Sequence, residues 1–354
     1  MTQFELIELS GNAYERGRQY GARAAAAIGQ TLQDYLALIE FHGGLKPEAA
    51  LEAAAGFGPI MEAHAPDLLQ EMQGIADGAG CDLVHILLIN ARSELMGMTD
   101  ECTALAAGGE VTHQGQVLLA QNWDWYTAVD SAPVLLHIRQ PGKPEILTVA
   151  EAGQVAKIGL NSAGLGVCLN FLSHTDRGRG LPIHVILRLV LGCAALGEAV
   201  WTALSGPRGG AGNILLAHAA GEILDLELTA TDADYVYADA NWLVHANHFE
   251  TPRLRGGDQV VGQSASTLAR AARARRLMAA DAGRGVVSMD SLQTILTDHT
   301  YGAYAICRHP EAGEDRLQQS ATCASVIMDL SVRTLHLAAG QPCQEAFRPY
   351  TFPF

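Results

Sequence analysis

A cysteine acting as a nucleophile needs a base close to its sulfur, and Cys102, in the stretch GMTDECTALAAGGEVTHQGQVLLAQNWDWY, acquires one through a single peptide cleavage. Cutting the bond between Glu101 and Cys102 makes Cys102 a new N-terminus that carries a thiol and a free α-amine on one residue. A thiol is nucleophilic only as thiolate and starts from a pKa of about 8.5, whereas an α-amine titrates near ~7.7–8.0, where a general base for neutral pH should sit. One residue then supplies nucleophile and base together. Free cysteine is more often a small buried hydrophobe than a reagent. Here the neighbours Thr99, Asp100, Glu101 and Thr103 are polar, and a turn at Gly108 and Gly109 leads into an alternating strand, a setting unlike an apolar core position.

The elements around Cys102 change period at that point. Upstream the pattern is helical: residues 12–42, with Gly17 and Gly21 one turn apart and fit for close approach of another element; a second helical region from Pro47 to 64, interrupted at GFGP; an apolar stripe of Leu68, Leu69, Met72 and Ile75; and a buried helix in CDLVHILLINARSEL. Downstream, segments 116–125, 133–140, 145–152, 155–160 and GVCLNFL read as a β-meander split by turns. A long apolar helix is predicted over 181–204, then strands over 213–217, 222–229, 233–238 and 242–246. Helices over 264–280 and 288–299 and strands over 320–338 complete the chain. The arginines of 264–280 (Arg270, Arg273, Arg275, Arg276) read as a solvated face. Helices, strands, a helical pair and more strands imply two sheets packed on each other with helices outside.

The 354 residues are ample for a sizeable core, with 49% hydrophobic and 17% charged residues. A net charge of -15 argues against nucleic acid, which needs a basic face. The seven cysteines, at 81, 102, 168, 193, 307, 323 and 343, show no CxxC spacing, which excludes the usual zinc patterns, argues against a disulfide framework and favours a reducing compartment. No metal and no cofactor are expected. Glu5 and Glu8 stand where a secretory signal needs its apolar run, and the longest apolar stretch, LPIHVILRLVLGCAAL, is broken by His184 and Arg188. A cytoplasmic protein without membrane partners is expected.

Behind ECT come QNWDW at 121–125, GLNSAGLGVCLNF at 159–171 and HANH at 245–248, then YAICRH at 304–309 and SATCASVIMD at 320–329. With Tyr-Glu-Arg-Gly-Arg and NARSE upstream, this order resembles the acyl-coenzyme A:6-aminopenicillanic acid acyltransferase family, the self-processing cysteine enzymes among the N-terminal nucleophile hydrolases. The resemblance covers nearly the whole chain. It implies an α+β fold, a four-layer αββα sandwich, and cleavage into a helical fragment 1–101 and a nucleophile-bearing fragment 102–354 that remain one folding unit. It implies Cys102 as nucleophile, Asp124 as the acid that holds the freed α-amine, Asn247 as an oxyanion-hole side chain and Asn170 as a second oxyanion donor. Arg308 matches an arginine near the substrate channel that can bind a carboxylate or form a structural salt bridge. Neutral amides suit the oxyanion role because they stabilise developing negative charge without changing protonation. Glu101 stands where the penicillin-acting member has Gly, so glycine's backbone freedom cannot assist the cleavage, and slower or regulated processing is expected.

His245 and His248 resemble a metal pair at i, i+3, but strand spacing puts them on opposite faces and gives them packing roles. The apolar residues near the nucleophile, Trp123, Trp125, Phe171 and Leu172, suit a hydrophobic acyl donor. The leading reading is an amidohydrolase or acyltransferase acting on a small-molecule acyl substrate, acyl-CoA included, with its own cleaved fragment as partner. A self-processed binding module and a papain-like Cys/His hydrolase stay open beside it.

Overall fold

The computed structural model describes residues 4, 6–96, 101–129 and 133–352. Strand β1 (Leu6–Leu9) precedes six helices: α1 (Ala13–Gly43), α2 (Pro47–Ala55), α3 (Gly58–His64), α4 (Pro66–Ala79), α5 (Leu83–Asn90) and α6 (Arg92–Met96). Then come β2 (Glu101–Ala107), β3 (Leu118–Tyr126), β4 (Pro133–Ile138), β5 (Ile146–Glu151), β6 (Ile158–Asn161) and β7 (Leu165–Phe171). Helices α7 (Ile183–Leu191) and α8 (Leu196–Ser205) lead to β8 (Gly212–His218), β9 (Ile223–Leu228), β10 (Ala233–Tyr237) and β11 (Trp242–His245). The chain closes with α9 (Ser266–Ala282), α10 (Met289–Leu296), β12 (Ser320–Asp329), β13 (Thr334–Ala338) and β14 (Arg348–Thr351).

Helix α1 starts where local chemistry fixes it. Asn12 Oδ1 accepts from Glu15 N at 2.9 Å and Glu15 Oε2 accepts from Asn12 N at 2.9 Å, a capping box; Gly44, with φ 67°, ends the helix. Its buried stripe runs through Gly17, Tyr20, Gly21, Ala24 and Ile28. A Cβ on Gly17 would stand 1.9 Å from the Glu71 carbonyl oxygen, and one on Gly21 2.1 Å from that of Ile75, so α4 packs backbone to backbone on α1 as the glycine spacing predicts.

The strands form two sheets. The larger has the order β1-β4-β5-β6-β7-β8-β9-β10, with β1 parallel to β4 and its other pairs antiparallel; the smaller is antiparallel, in the order β11-β2-β3-β12-β13-β14. Alternation along each strand sorts the core into three layers. Ile75, Ile89, Leu136, Val167, Val185 and Ile214 join helices α1, α3, α4, α5, α7 and α8 to the outer face of the larger sheet. Between the sheets lie Cys102, Ala104, Leu119 and Trp123 against Leu147, Ile158, Cys168 and Leu215. Leu105, Leu118 and Ala120 meet Ala274, Met278 and Leu292 of α9 and α10 on the far side. This is the expected αββα sandwich.

Two local expectations change, and one strand was not foreseen. The helix predicted over 181–204 is broken between α7 and α8, because Gly192 ends α7 and Asn161 Nδ2 donates to the Leu191 and Cys193 carbonyls at 2.9 and 2.7 Å. The expected meander loses its first strand: β3 lies in the smaller sheet between β2 and β12, while β4 to β7 run in the larger, and β11 also joins the smaller sheet by pairing with β2. Strand β1 is four residues long and carries no periodic signal, yet it adds an edge to the larger sheet.

Residues 6–96 are therefore woven into the rest. Arg92 donates twice to Glu151 Oε2, at 2.9 and 2.6 Å, while Tyr35 donates to Glu151 Oε1 and accepts from Trp125 Nε1 at 2.8 Å. Arg16 and Arg188 both pair with Glu71 in the helical layer.

Candidate active site

Cys102 is the second residue of β2 and pairs with Trp123 of β3. Its side chain points between the sheets and is 0% exposed, so the polar neighbours do not make it a surface residue. This corrects the expectation from sequence: strand alternation sends Glu101 and Thr103 to the other face and leaves Cys102 with the core. Thr99 and Asp100 lie outside the described residues.

Two side chains grip the backbone of Cys102 in the continuous chain. Its N–H donates to Asn247 Oδ1 at 2.7 Å, and its carbonyl accepts from Arg270 Nη1 at 2.5 Å. Arg270 also donates to Thr103 Oγ1 at 2.8 Å and to Asn247 Oδ1 at 2.8 Å. Fully buried, this guanidinium places a positive charge against the Cys102 backbone. Reading the arginines of α9 as a solvated face was therefore wrong for Arg270. It shares the buried stripe of Thr267, Ala271, Ala274 and Met278, and the i, i+4 spacing from Arg270 to Ala274 and Met278 is the signal that could have found it.

Asn247 is held from three sides. Its N–H donates to Thr267 Oγ1 at 2.7 Å, and its Nδ2 donates to the Phe171 carbonyl at 3.1 Å. The side-chain oxygen, not the amide nitrogen, thus faces Cys102, whereas the resemblance implied an oxyanion donor. The HANH turn rests on Glu227, which accepts from Glu250 N, Thr251 N and Thr251 Oγ1 at 2.6, 3.0 and 2.6 Å and meets His245 Nε2 at 2.9 Å. The other ring nitrogen of His245 faces the Ala246 carbonyl at 2.7 Å. Two acceptors on one ring require a proton on each nitrogen. Although burial opposes the charged form, Asp225 and Glu227 push the His245 pKa up to about 9. His248 stacks on it with ring centroids 6.3 Å apart, so the two rings do not lie on opposite faces, because β11 ends at His245 and the chain turns. Burial and the neighbouring His245 charge take His248 down to about 4.

Glu101 pairs with Asp124 in the strand register. Its carboxylate meets the Arg308 guanidinium and accepts from Ser264 Oγ and Ser266 Oγ, both at 2.6 Å. Asp124, 1% exposed, accepts from Thr322 Oγ1 at 2.6 Å, and Thr322 Oγ1 accepts in turn from Arg308 N at 2.9 Å. Glu101, Asp124, Trp125, Ser264 and Arg308 line one cavity of about 190 Å³. Trp123 is not on its wall: the ring is 1% exposed and the Lys157 ammonium sits 3.8 Å from its centroid. Phe171 and Leu172 line a different cavity, also about 190 Å³, with Glu94 and His174.

Asn170 is fully buried on β7, on the same face as Cys168, and so points between the sheets. Neither its Oδ1 nor its Nδ2 has a hydrogen-bond partner among the described residues. A buried amide without partners costs about 1–3 kcal/mol, which is why such groups are rare and call for a reason. The next residue, Phe171, is the one whose carbonyl Asn247 holds. The structure thus brings Cys102, Asn247 and Arg270 into direct contact and sets Glu101, Asp124 and Arg308 around one adjoining cavity. Arg270, Ser264, Ser266 and Thr322 are the members that sequence reasoning missed.

The sequence model of the family described as acyl-coenzyme A:6-aminopenicillanic acid acyl-transferase matches residues 111–344. Over 250 residues the chain is 33% identical to the 40 kDa form of acyl-coenzyme A:6-aminopenicillanic-acid-acyltransferase of Emericella nidulans, covering 68% of each chain. Among solved structures it is similar to a Caenorhabditis elegans ortholog of N-acylethanolamine-hydrolyzing acid amidase, at 17% identity and a TM-score of 0.45 over 71% of this chain and 100% of that one. It is also similar to penicillin V acylase from Agrobacterium tumefaciens, at 15% identity and a TM-score of 0.45 over 67% and 83%. Those two likenesses are distant; the extent of the family match and the identity to the Emericella enzyme decide the matter, and the chain belongs to the acyl-coenzyme A:6-aminopenicillanic acid acyl-transferase family.

Proposed function

We propose that the chain cuts itself between Glu101 and Cys102 and then works as an N-terminal cysteine hydrolase or acyltransferase through an acyl-cysteine intermediate. Family membership gives acyl transfer or amide hydrolysis as the class of reaction. The observation that carries the finer reading is the joint hold on Cys102, its N–H by Asn247 and its carbonyl by Arg270. These contacts fix the nitrogen that must leave and hold the backbone of the residue whose sulfur must attack.

In self-cleavage Cys102 Sγ attacks the Glu101 carbonyl carbon, the C–N bond breaks, and the thiol proton ends on the departing nitrogen. Water then hydrolyses the thioester, leaving fragments 1–101 and 102–354. In turnover the same sulfur attacks the carbonyl of an N-acyl amide or acyl thioester, the leaving amine or thiol takes a proton, and water or an amine accepts the acyl group. The amide of Asn170 is the candidate donor to the oxyanion, a role worth roughly 2.7–4 kcal/mol in comparable enzymes. Asn247 Oδ1 and Asp124 are the candidate acceptors for the freed α-ammonium.

Glu101 is itself the acyl donor of the first reaction, so its side chain marks where an acyl substituent lies. The grip of Arg308, Ser264 and Ser266 on that carboxylate supports small acyl groups ending in a carboxylate, such as glutaryl, above the purely apolar donors that the tryptophans suggested. The Emericella relative's name adds acyl-coenzyme A as a donor to test. Processed protein is incubated with N-acyl amines and acyl thioesters, glutaryl and phenylacetyl versions of each, then quenched and digested. A mass increment on the peptide that begins at Cys102, larger for glutaryl, is expected; silence across both panels after normal processing would leave only a maturation event.

A further inference from the structure

Beside the active site, four ligand-type side chains from three separate segments converge. His299 follows α10, Cys307 and His309 lie in the segment that leads into β12, and Cys343 lies between β13 and β14. One ligand atom of each lies within 4.8 Å of all the others. The separations are 3.1 Å for His299 Nε2 to His309 Nε2, 3.6 Å for Cys307 Sγ to Cys343 Sγ, 3.7 Å for Cys307 Sγ to His309 Nε2 and 3.2 Å for Cys343 Sγ to His309 Nε2. A tetrahedral zinc ion with Zn–S of about 2.3 Å and Zn–N of about 2.0–2.1 Å requires edges of about 3.8 Å for S–S, 3.6 Å for S–N and 3.3 Å for N–N. These four of the six edges fall within about 0.4 Å of the required lengths, and the other two, from His299 to Cys307 and to Cys343, are under 4.8 Å.

Neither a disulfide nor hydrogen bonding satisfies all four groups. A disulfide needs its sulfurs at about 2.05 Å and makes no use of two imidazoles. Hydrogen bonding also falls short, because His309 Nε2 faces three other ligand atoms and an imidazole nitrogen offers either one proton or one lone pair. A shared cation serves all four at once. Two thiolates neutralise a divalent ion, and the exposed His299 and Cys343 leave it a way in from solvent.

We propose that His299, Cys307, His309 and Cys343 bind one Zn²⁺ in a closed tetrahedral site. With four protein ligands no position is left for substrate, so the role is structural. Cys307 and His309 flank Arg308, whose guanidinium meets Glu101 and whose N–H reaches Thr322 next to Asp124. The ion fastens this segment to the loop between β13 and β14 and so positions Arg308. Binding releases the two thiol protons and leaves both imidazoles neutral. The sequence predicts no metal because His309 lies ten positions after His299 and Cys343 thirty-four positions after His309, spacings that no short motif contains.

Protein produced with added zinc and purified under reducing conditions is assayed for metal, and the zinc is then exchanged for Co²⁺. About one zinc per chain is expected, with visible cobalt bands of tetrahedral type and a thiolate charge-transfer band. Cys343→Ser and His299→Ala, both at the exposed rim, should retain their far-UV circular dichroism and fall below about a tenth of an equivalent, while Cys343→His keeps the metal. A Cys102→Ala chain should hold as much zinc as the wild type, which separates this outcome from any failure of self-processing. Folded wild-type protein with less than about a tenth of an equivalent under saturating zinc would overturn the proposal. So would zinc retained in full by the Cys343→Ser, His299→Ala double variant, or a Cys307–Cys343 disulfide that persists through purification under reducing conditions.

Discussion

Asn170 separates function from stability within one side chain. Its buried amide lacks a partner among the described residues, so folding gains nothing from it, while the proposed mechanism uses it as a donor. Asn170→Leu is therefore expected to raise the melting temperature while cutting kcat by about 10²–10³ with little change in KM. A fall in stability with kcat unchanged would mark a merely structural amide. Glu94 offers a test by pH. Burial pushes its pKa from the ordinary 4.5 up to about 7, despite the hydrogen bond from Ile183 N. The folded state thus holds this proton more tightly, so the contribution to stability is complete below pH 4.5 and is lost as pH rises through about 7. Denaturation midpoints followed from pH 4.5 to 8 should lose this contribution, roughly 3 kcal/mol, and Glu94→Gln should flatten the profile over that window. Residue types alone announced Cys102, Asp124 and Asn247 once their order was compared with the family. They could not announce Ser264, Ser266 or Thr322, whose hydroxyls become site members only through contacts across the fold.

Among the elements, the contact of α1 with α4 is the tightest joint in the helical layer and was legible from Gly17 and Gly21 standing one turn apart. Gly21→Ala drives a methyl into the Ile75 carbonyl and should cost at least about 1–3 kcal/mol in chemical denaturation. Gly29→Ala, on the same helix with open space around it, should instead stabilise by up to about 1 kcal/mol. Equal effects at the two positions would contradict the close-packed joint. The break between α7 and α8 was not legible, because the apolar pattern continues through 192–195 and Asn161, the residue that stabilises the break, lies about thirty residues upstream. Arg270 was misread for a related reason: composition counted four arginines together, whereas the helix separates the one at the buried stripe from Arg273 and Arg275, which pair with Asp298 and Glu250.

For the whole molecule, the four layers were legible from the succession of helical and alternating patterns together with the family resemblance, but the interlocking of residues 6–96 with the rest was not. It rests on β1, too short to show a period, and on partners such as Arg92 and Glu151 that lie 59 residues apart. Self-cleavage should therefore leave fragments that migrate together in size-exclusion chromatography and part only in denaturant; fragments that separate in native buffer would count against this interlocked design. The most direct test of the central claim is the intact mass of the isolated protein beside that of Cys102→Ala. The account requires two species in the wild type, ending at Glu101 and beginning at a free Cys102 amine, and a single uncut species in the variant. A full-length wild-type chain that turns over acyl substrates without any break at that bond would contradict it.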